Sequence, residues 1–181
     1  MRARRARIAC ACACIAAACG GSSEKPPATG GSFTLQVGPG GQPGVDDLGK
    51  CPFATAHVAG SAGWNVYDGD AFDGGVAVHV SCSVSGGDVA YDVAASVAIG
   101  DATKLDLVGS VAPGGQGTAT VTMVVLGDGF TSAAPCTLDS TREADGVGPG
   151  HLDVGVVCPA AGDAQGHVCE ASARLTLTGC R

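Results

Sequence analysis

The sequence predicts an all-β domain: an antiparallel β-sandwich, Ig-like or jelly-roll-like, of about eight strands stapled by disulfides. Three observations lead there. Apolar residues alternate with small polar ones over most of the chain, Gly-rich turn sequences separate the alternating runs, and six cysteines are spread through the same region. Alternation with period two marks half-buried antiparallel strands. After residue 20 there is no stretch with a cap and a 3.6-residue apolar period, so helix is not expected.

The runs can be taken in order. "SFTLQV" at 32–37 and "FATAHV" at 53–58 are the weaker strand candidates. Val76, Val78, Val80, Cys82 and Val84 then share one face, with Ala77, His79, Ser81 and Ser83 on the other. Val89, Tyr91, Val93, Ala95, Val97 and Ile99 repeat the pattern. Leu105, Leu107 and Val111 continue it, followed by Val121, Met123 and Val125. Ser85-Gly86-Gly87-Asp88, Gly100-Asp101 and Pro113-Gly114-Gly115-Gln116-Gly117 divide these four strands into a meander. Residues 127–150 are rich in Gly, Asp, Ser and Thr and predict a long irregular loop. Leu152, Val154, Val156 and Cys158 pair with Ala171, Ala173, Leu175 and Leu177 as a last hairpin. A turn near Gly162-Asp163-Ala164 would set Cys158 opposite Cys169 as a cross-strand disulfide.

The predicted core is made of small side chains. The chain has 30 glycines, and its Phe, Trp and Tyr number four, one and two. Small side chains bury little area each, at about 25 cal/mol per Å², and glycine raises the entropic cost of ordering the chain. Disulfides worth about 2–4 kcal/mol each offset that cost.

The N-terminus is of another kind. Arg2, Arg4, Arg5 and Arg7 precede an uncharged run from Ile8 to Ala18. A basic head and a short apolar stretch ending in small residues make an export signal. The run is far shorter than the roughly 20 residues a spanning helix needs. Ala16-Ala17-Ala18-Cys19, followed by Gly20, resembles the lipobox of bacterial lipoproteins. The resemblance implies cleavage before Cys19 and a lipid, palmitate among its acyl chains, on that residue. Residues 1–18 are then a signal peptide, 19–32 ("CGGSSEKPPATGGS") an anchor and flexible tether, and 33–181 the β domain. Gly20 and Gly21, rather than Asp, after the anchor imply the outer membrane by the same resemblance. The domain would then lie in the periplasm or on the cell surface.

The cysteine count agrees with this division. Of ten cysteines, Cys10, Cys12 and Cys14 would leave with the signal, where they serve as small hydrophobes. With Cys19 lipidated, Cys51, Cys82, Cys136, Cys158, Cys169 and Cys180 remain, an even set suited to three disulfides. Without the four signal arginines, six basic side chains face 17 acidic ones, a net charge of −11. Such a domain repels nucleic acid and anionic headgroups. Membrane attachment must therefore come from the lipid.

Catalytic motifs are absent: there is no Gly-x-Ser-x-Gly elbow, P-loop or dinucleotide fingerprint. No catalytic residue is assigned and a hydrolytic enzyme is disfavoured. Cys158, His167 and Cys169 lack the paired spacing of a zinc site and are better disulfide members. One segment, "WNVYDGDAFDGG" at 64–75, deserves a ligand hypothesis. Asp68, Asp70 and Asp73 beside glycines offer hard oxygens for calcium, the one cofactor considered, though Phe72 breaks the EF-hand spacing. Asp68-Gly69 is equally a plain turn signal. Trp64 and Tyr67 would stack a sugar if exposed, making a glycan- or calcium-binding surface module. The simpler expectation is that they fill the core. The sequence thus points to a non-catalytic structural or interaction domain, with a protein or glycan as its possible partner.

Overall fold

The computed structural model describes residues 28–39, 51–61, 63–140 and 146–181. The expected signal, Cys19 and most of the expected tether lie outside them. The described chain is antiparallel β throughout, with one 3-10 turn at Asp73–Gly75. Seven long strands carry the sheet: β1 (Gly30–Gly38), β5 (Val76–Gly86), β6 (Tyr91–Ile99), β7 (Thr103–Val111), β8 (Gln116–Val125), β12 (His151–Gly162) and β13 (Val168–Thr178). Six short ones complete it: β2 (His57–Gly60), β3 (Val66–Tyr67), β4 (Ala71–Phe72), β9 (Asp128–Ser132), β10 (Cys136–Asp139) and β11 (Val147–Gly148).

The strand order is β2-β1-β13-β12-β10-β8-β7-β6-β5-β4. This single sheet folds over so that β1 and β2 approach β8 across the interior, and β11 and β12 approach β5. The inward side chains are those of the alternation. Val78, Val80, Val97, Leu105, Leu107, Val121, Met123 and Val125 come from one half, and Phe33, Leu35, Val37, Leu152, Val154, Leu175 and Leu177 from the other, all buried. Val and Thr suit a pleated, half-buried surface. The opposite face carries small polar groups in register, as in the row Ser81, Ser96, Asp106, Thr122 and Thr131 across β5 to β9.

The free edge of β5 is closed by two separate pieces of chain. Val78 donates its N–H to the Asp70 carbonyl (2.9 Å) and accepts from Gly69 N–H (3.0 Å). Val80 N–H donates to Asp68 Oδ1 (3.1 Å). Arg181 N–H donates to the Cys82 carbonyl (3.0 Å), and its own carbonyl accepts from Val84 N–H (3.1 Å). The sheet therefore meets itself at a seam. An unpaired strand edge invites association with other chains, and this one is occupied from Val78 to Val84.

Several expectations need correction. "SFTLQV" is a central strand, because β1 lies between β13 and β2 and buries Phe33, Leu35 and Val37. The sheet begins at Gly30, so the last residues read as tether belong to it. Residues 127–150 are not one irregular loop, since β9 and β10 lie there and bridge β8 to β12, and β11 pairs with β12. Their small polar residues hid them, yet Phe130, Cys136 and Leu138 point into the core. Val89 is 84% exposed because β6 starts only at Tyr91.

The six cysteines do form three disulfides: Cys51–Cys169, Cys82–Cys180 and Cys136–Cys158. The expected Cys158–Cys169 bridge is absent. Cys158 faces Ala171 and Cys169 faces Ala161, with a register shift between Cys158 and Ala161. Pro159 lies within the shift. Proline has no N–H for the ladder and is tolerated in a strand at such a bulge.

Candidate functional site

The segment 61–75 runs from the edge of β1 to the edge of β5. Ser61 starts it as a buried clamp: its N–H donates to the Phe33 carbonyl (2.8 Å), and its Oγ accepts from Phe33 N–H (3.1 Å). Val66 and Tyr67 pair with Gly31 and Gly30. Asp68 N–H then donates to the Thr29 carbonyl (3.0 Å). A turn follows in which Asp70 N–H donates to the Tyr67 carbonyl (3.0 Å) and Asp70 Oδ2 accepts from Tyr67 N–H (2.9 Å). Gly69 takes φ 88° within it, a left-handed value cheap only for glycine. Phe72 pairs with Val76 across the next turn.

The carboxylates are thereby largely explained as structure. Asp68 caps a strand edge and Asp70 closes its own turn. His79 Nδ1 lies 3.7 Å from Asp68 Oδ1, with both side chains more than half exposed. Among the described residues no group of three or more His, Cys, Asp or Glu side chains is placed to hold a metal ion. Asp68, Asp70 and Asp73, the residues expected as weak calcium candidates, form no such group. The spacing brought them near one another in sequence, but the turn directs two of them at backbone N–H groups.

The aromatic residues depart from expectation in the other direction. Trp64 is 55% exposed and Tyr67 42%, so neither fills the core. Trp64 meets Phe72 edge to face, with ring centroids 5.3 Å apart, a favoured aromatic geometry. Together with Asn65, Val66, Asp70 and Asp73 they line an open cleft of about 430 Å³. Val76, beside Phe72, is also exposed. Phe33 and Phe130 supply the largest groups of the core, and Phe72 packs against it in part.

Other polar clusters were not foreseen. In the loop closing the β12–β13 hairpin, Asp163 Oδ1 accepts from the N–H groups of Gln165 (2.9 Å) and His167 (2.8 Å), and Oδ2 lies 2.7 Å from His167 Nδ1. Burial pushes the Asp163 carboxyl up, but the His167 ring and these two N–H groups outweigh it and hold its pKa below the ordinary carboxylate value. The carboxylate thus holds both its own loop and the His167 ring. On the outer face, Asp106 accepts from Ser96 Oγ (2.6 Å) and pairs with Lys104 Nζ (2.9 Å). Asp153, largely buried, meets Arg174 and Thr176 across β12 and β13. Only the outward parity of these residues hinted at such contacts.

Compared with family models, curated proteins and solved structures, the chain matches none of them.

Proposed function

We propose that the chain is an exported bacterial lipoprotein. Its signal, 1–18, is removed, Cys19 carries the lipid, and a non-catalytic β-sandwich is held at the envelope, on the outer membrane, as an interaction domain. The observation that supports this most is the pairing of all six cysteines from Cys51 to Cys180. Three disulfides belong to an oxidising compartment. They also leave Cys19 as the one cysteine outside the signal without a partner in this scheme, which suits an acylated anchor. The contact surface is the 64–75 segment, where the exposed Trp64 ring and the half-buried Phe72 line a cleft.

A saccharide is the second reading of that cleft. It is favoured by exposed Trp64 with Asn65, Asp70 and Asp73 at its rim, an apolar plate beside polar groups being what a pyranose ring uses.

Intact mass of the protein purified from its native membrane, with and without reduction and thiol alkylation, tests the main reading. The expected mass begins at Cys19 with lipid attached and gains six alkyl groups only after reduction. A mass without lipid overturns the anchor. Alkylation without reduction overturns the staples.

A further inference from the structure

We propose that the segment exposing Trp64, Tyr67 and Val76 is a membrane-contact surface that settles on the headgroup region of the bilayer holding the anchor, with zwitterionic lipid as its partner. This rests on the lipid anchor at Cys19 inferred above.

The first support is placement. The aromatic segment is joined to the start of the domain: Tyr67 pairs with Gly30, and Asp68 N–H donates to the Thr29 carbonyl. A side chain at Gly30 would collide with the Tyr67 ring, so that ring lies directly over the point where the chain enters the sheet. From Cys19 to Thr29 the backbone spans at most roughly 35 Å. The surface around Thr29 therefore cannot move far from the bilayer. Tethering over such a distance gives an effective concentration in the millimolar range, so weak contacts suffice to seat it.

The second support is chemistry. Trp and Tyr favour the membrane interface because one end is apolar and the other polar. Trp64 packs edge to face on Phe72, Phe72 pairs with the exposed Val76, and Tyr67 is exposed on the same segment, whereas Val58, Val89, Val108, Leu126 and Val157 are exposed on other parts of the fold. Isolated apolar residues are ordinary on a surface, and a cluster is not. The mature chain carries −11 and no Lys or Arg lies between residues 51 and 103. Anionic lipid is repelled, while a headgroup bearing an ammonium can lie beside Asp73.

The chain has one tryptophan, Trp64, and so reports its own position. The mature protein, oxidised and starting at Cys19, is coupled through that thiol to a maleimide-headgroup lipid in phosphatidylcholine vesicles, and flotation verifies attachment. Trp64 emission is expected to shift to the blue and to lose most of its intensity to lipids brominated in their acyl chains. Protein with Cys19 blocked by iodoacetamide should show neither effect. Tyr67→Ser should weaken the quenching, as should phosphatidylglycerol in the vesicles, and salt should restore the latter loss. Attached protein with unshifted, unquenched Trp64 overturns the proposal. Emission that ignores the vesicle but responds to chitotetraose overturns it in favour of the saccharide. Because attachment here is chemical, failure of this surface is distinguishable from failure of native lipidation, which the intact mass reports.

Discussion

Leu126 occupies a position suited to glycine or asparagine. It has φ 56° beside Gly127 at φ 90°, in the two-residue turn between Val125 and Asp128. Two left-handed residues match the twist of a hairpin, and Asn-Gly is the preferred pair. Leu126 is 60% exposed, so its side chain adds little burial in return for the strain. Leu126→Asn should stabilise the domain by about 1 kcal/mol, measured as a raised urea midpoint at unchanged slope. Asp163 gives a pH dependence of known sign. Its folded pKa is depressed, so its contribution is present above the unfolded carboxylate pKa, near 3.9, and is lost as pH falls through the lower folded value. Asp163→Asn should flatten the acid limb of the stability profile, as followed by thermal unfolding from pH 2 to 5. The sequence marked Asp163 only as a turn residue. What it could not reveal is that two N–H groups and an imidazole converge on one carboxylate, because that depends on the exact fold of the loop.

Among the elements, β5 shows most clearly what alternation does and does not specify. Its inward valines and outward Ser81 and Ser83 follow directly from period two. Its edge partners do not, for they come from a turn at 68–70 and from Arg181, far away in the chain. Asp68 belongs to that edge. Asp68→Ala should cost about 1 kcal/mol by leaving the Val80 N–H without its acceptor, and Asp68→Asn, which keeps an acceptor oxygen, should cost less. Amide exchange at Val80 is the measurement, with faster exchange expected in the alanine variant. The short strands β9 to β11 were illegible because two to five residues carry too little alternation to register. β12 misled for another reason. A single bulge at Pro159 shifts every facing pair beyond it, and register read from a guessed turn cannot anticipate that. The candidate segment was located by its composition, but exposed and buried aromatics look alike in a sequence. Trp64 could be told from Phe33 only by the fold.

At the scale of the whole molecule, a core of valine, alanine and leucine is fastened where the sheet folds over. Cys51–Cys169 and Cys82–Cys180 span 118 and 98 residues, and Cys136–Cys158 spans 22. Chain entropy assigns about 5 kcal/mol to the longest loop and about 3.4 to the shortest. Cys51→Ala/Cys169→Ala should therefore lower stability more than Cys136→Ala/Cys158→Ala, as read from urea midpoints of the two double variants.

The same three bridges set a problem of order for a chain delivered from its N-terminus. Cys51 and Cys82 arrive first, and their partners arrive last. Oxidation of neighbours in sequence of arrival would join Cys51 to Cys82 and Cys169 to Cys180, and only Cys136–Cys158 would be native. At roughly 5–20 residues per second of synthesis, Cys82 waits several seconds for Cys180 with a reactive thiol exposed. Maturation of this fold therefore calls for reshuffling of early bridges, and a thiol–disulfide isomerase is the class of helper on which its yield would depend.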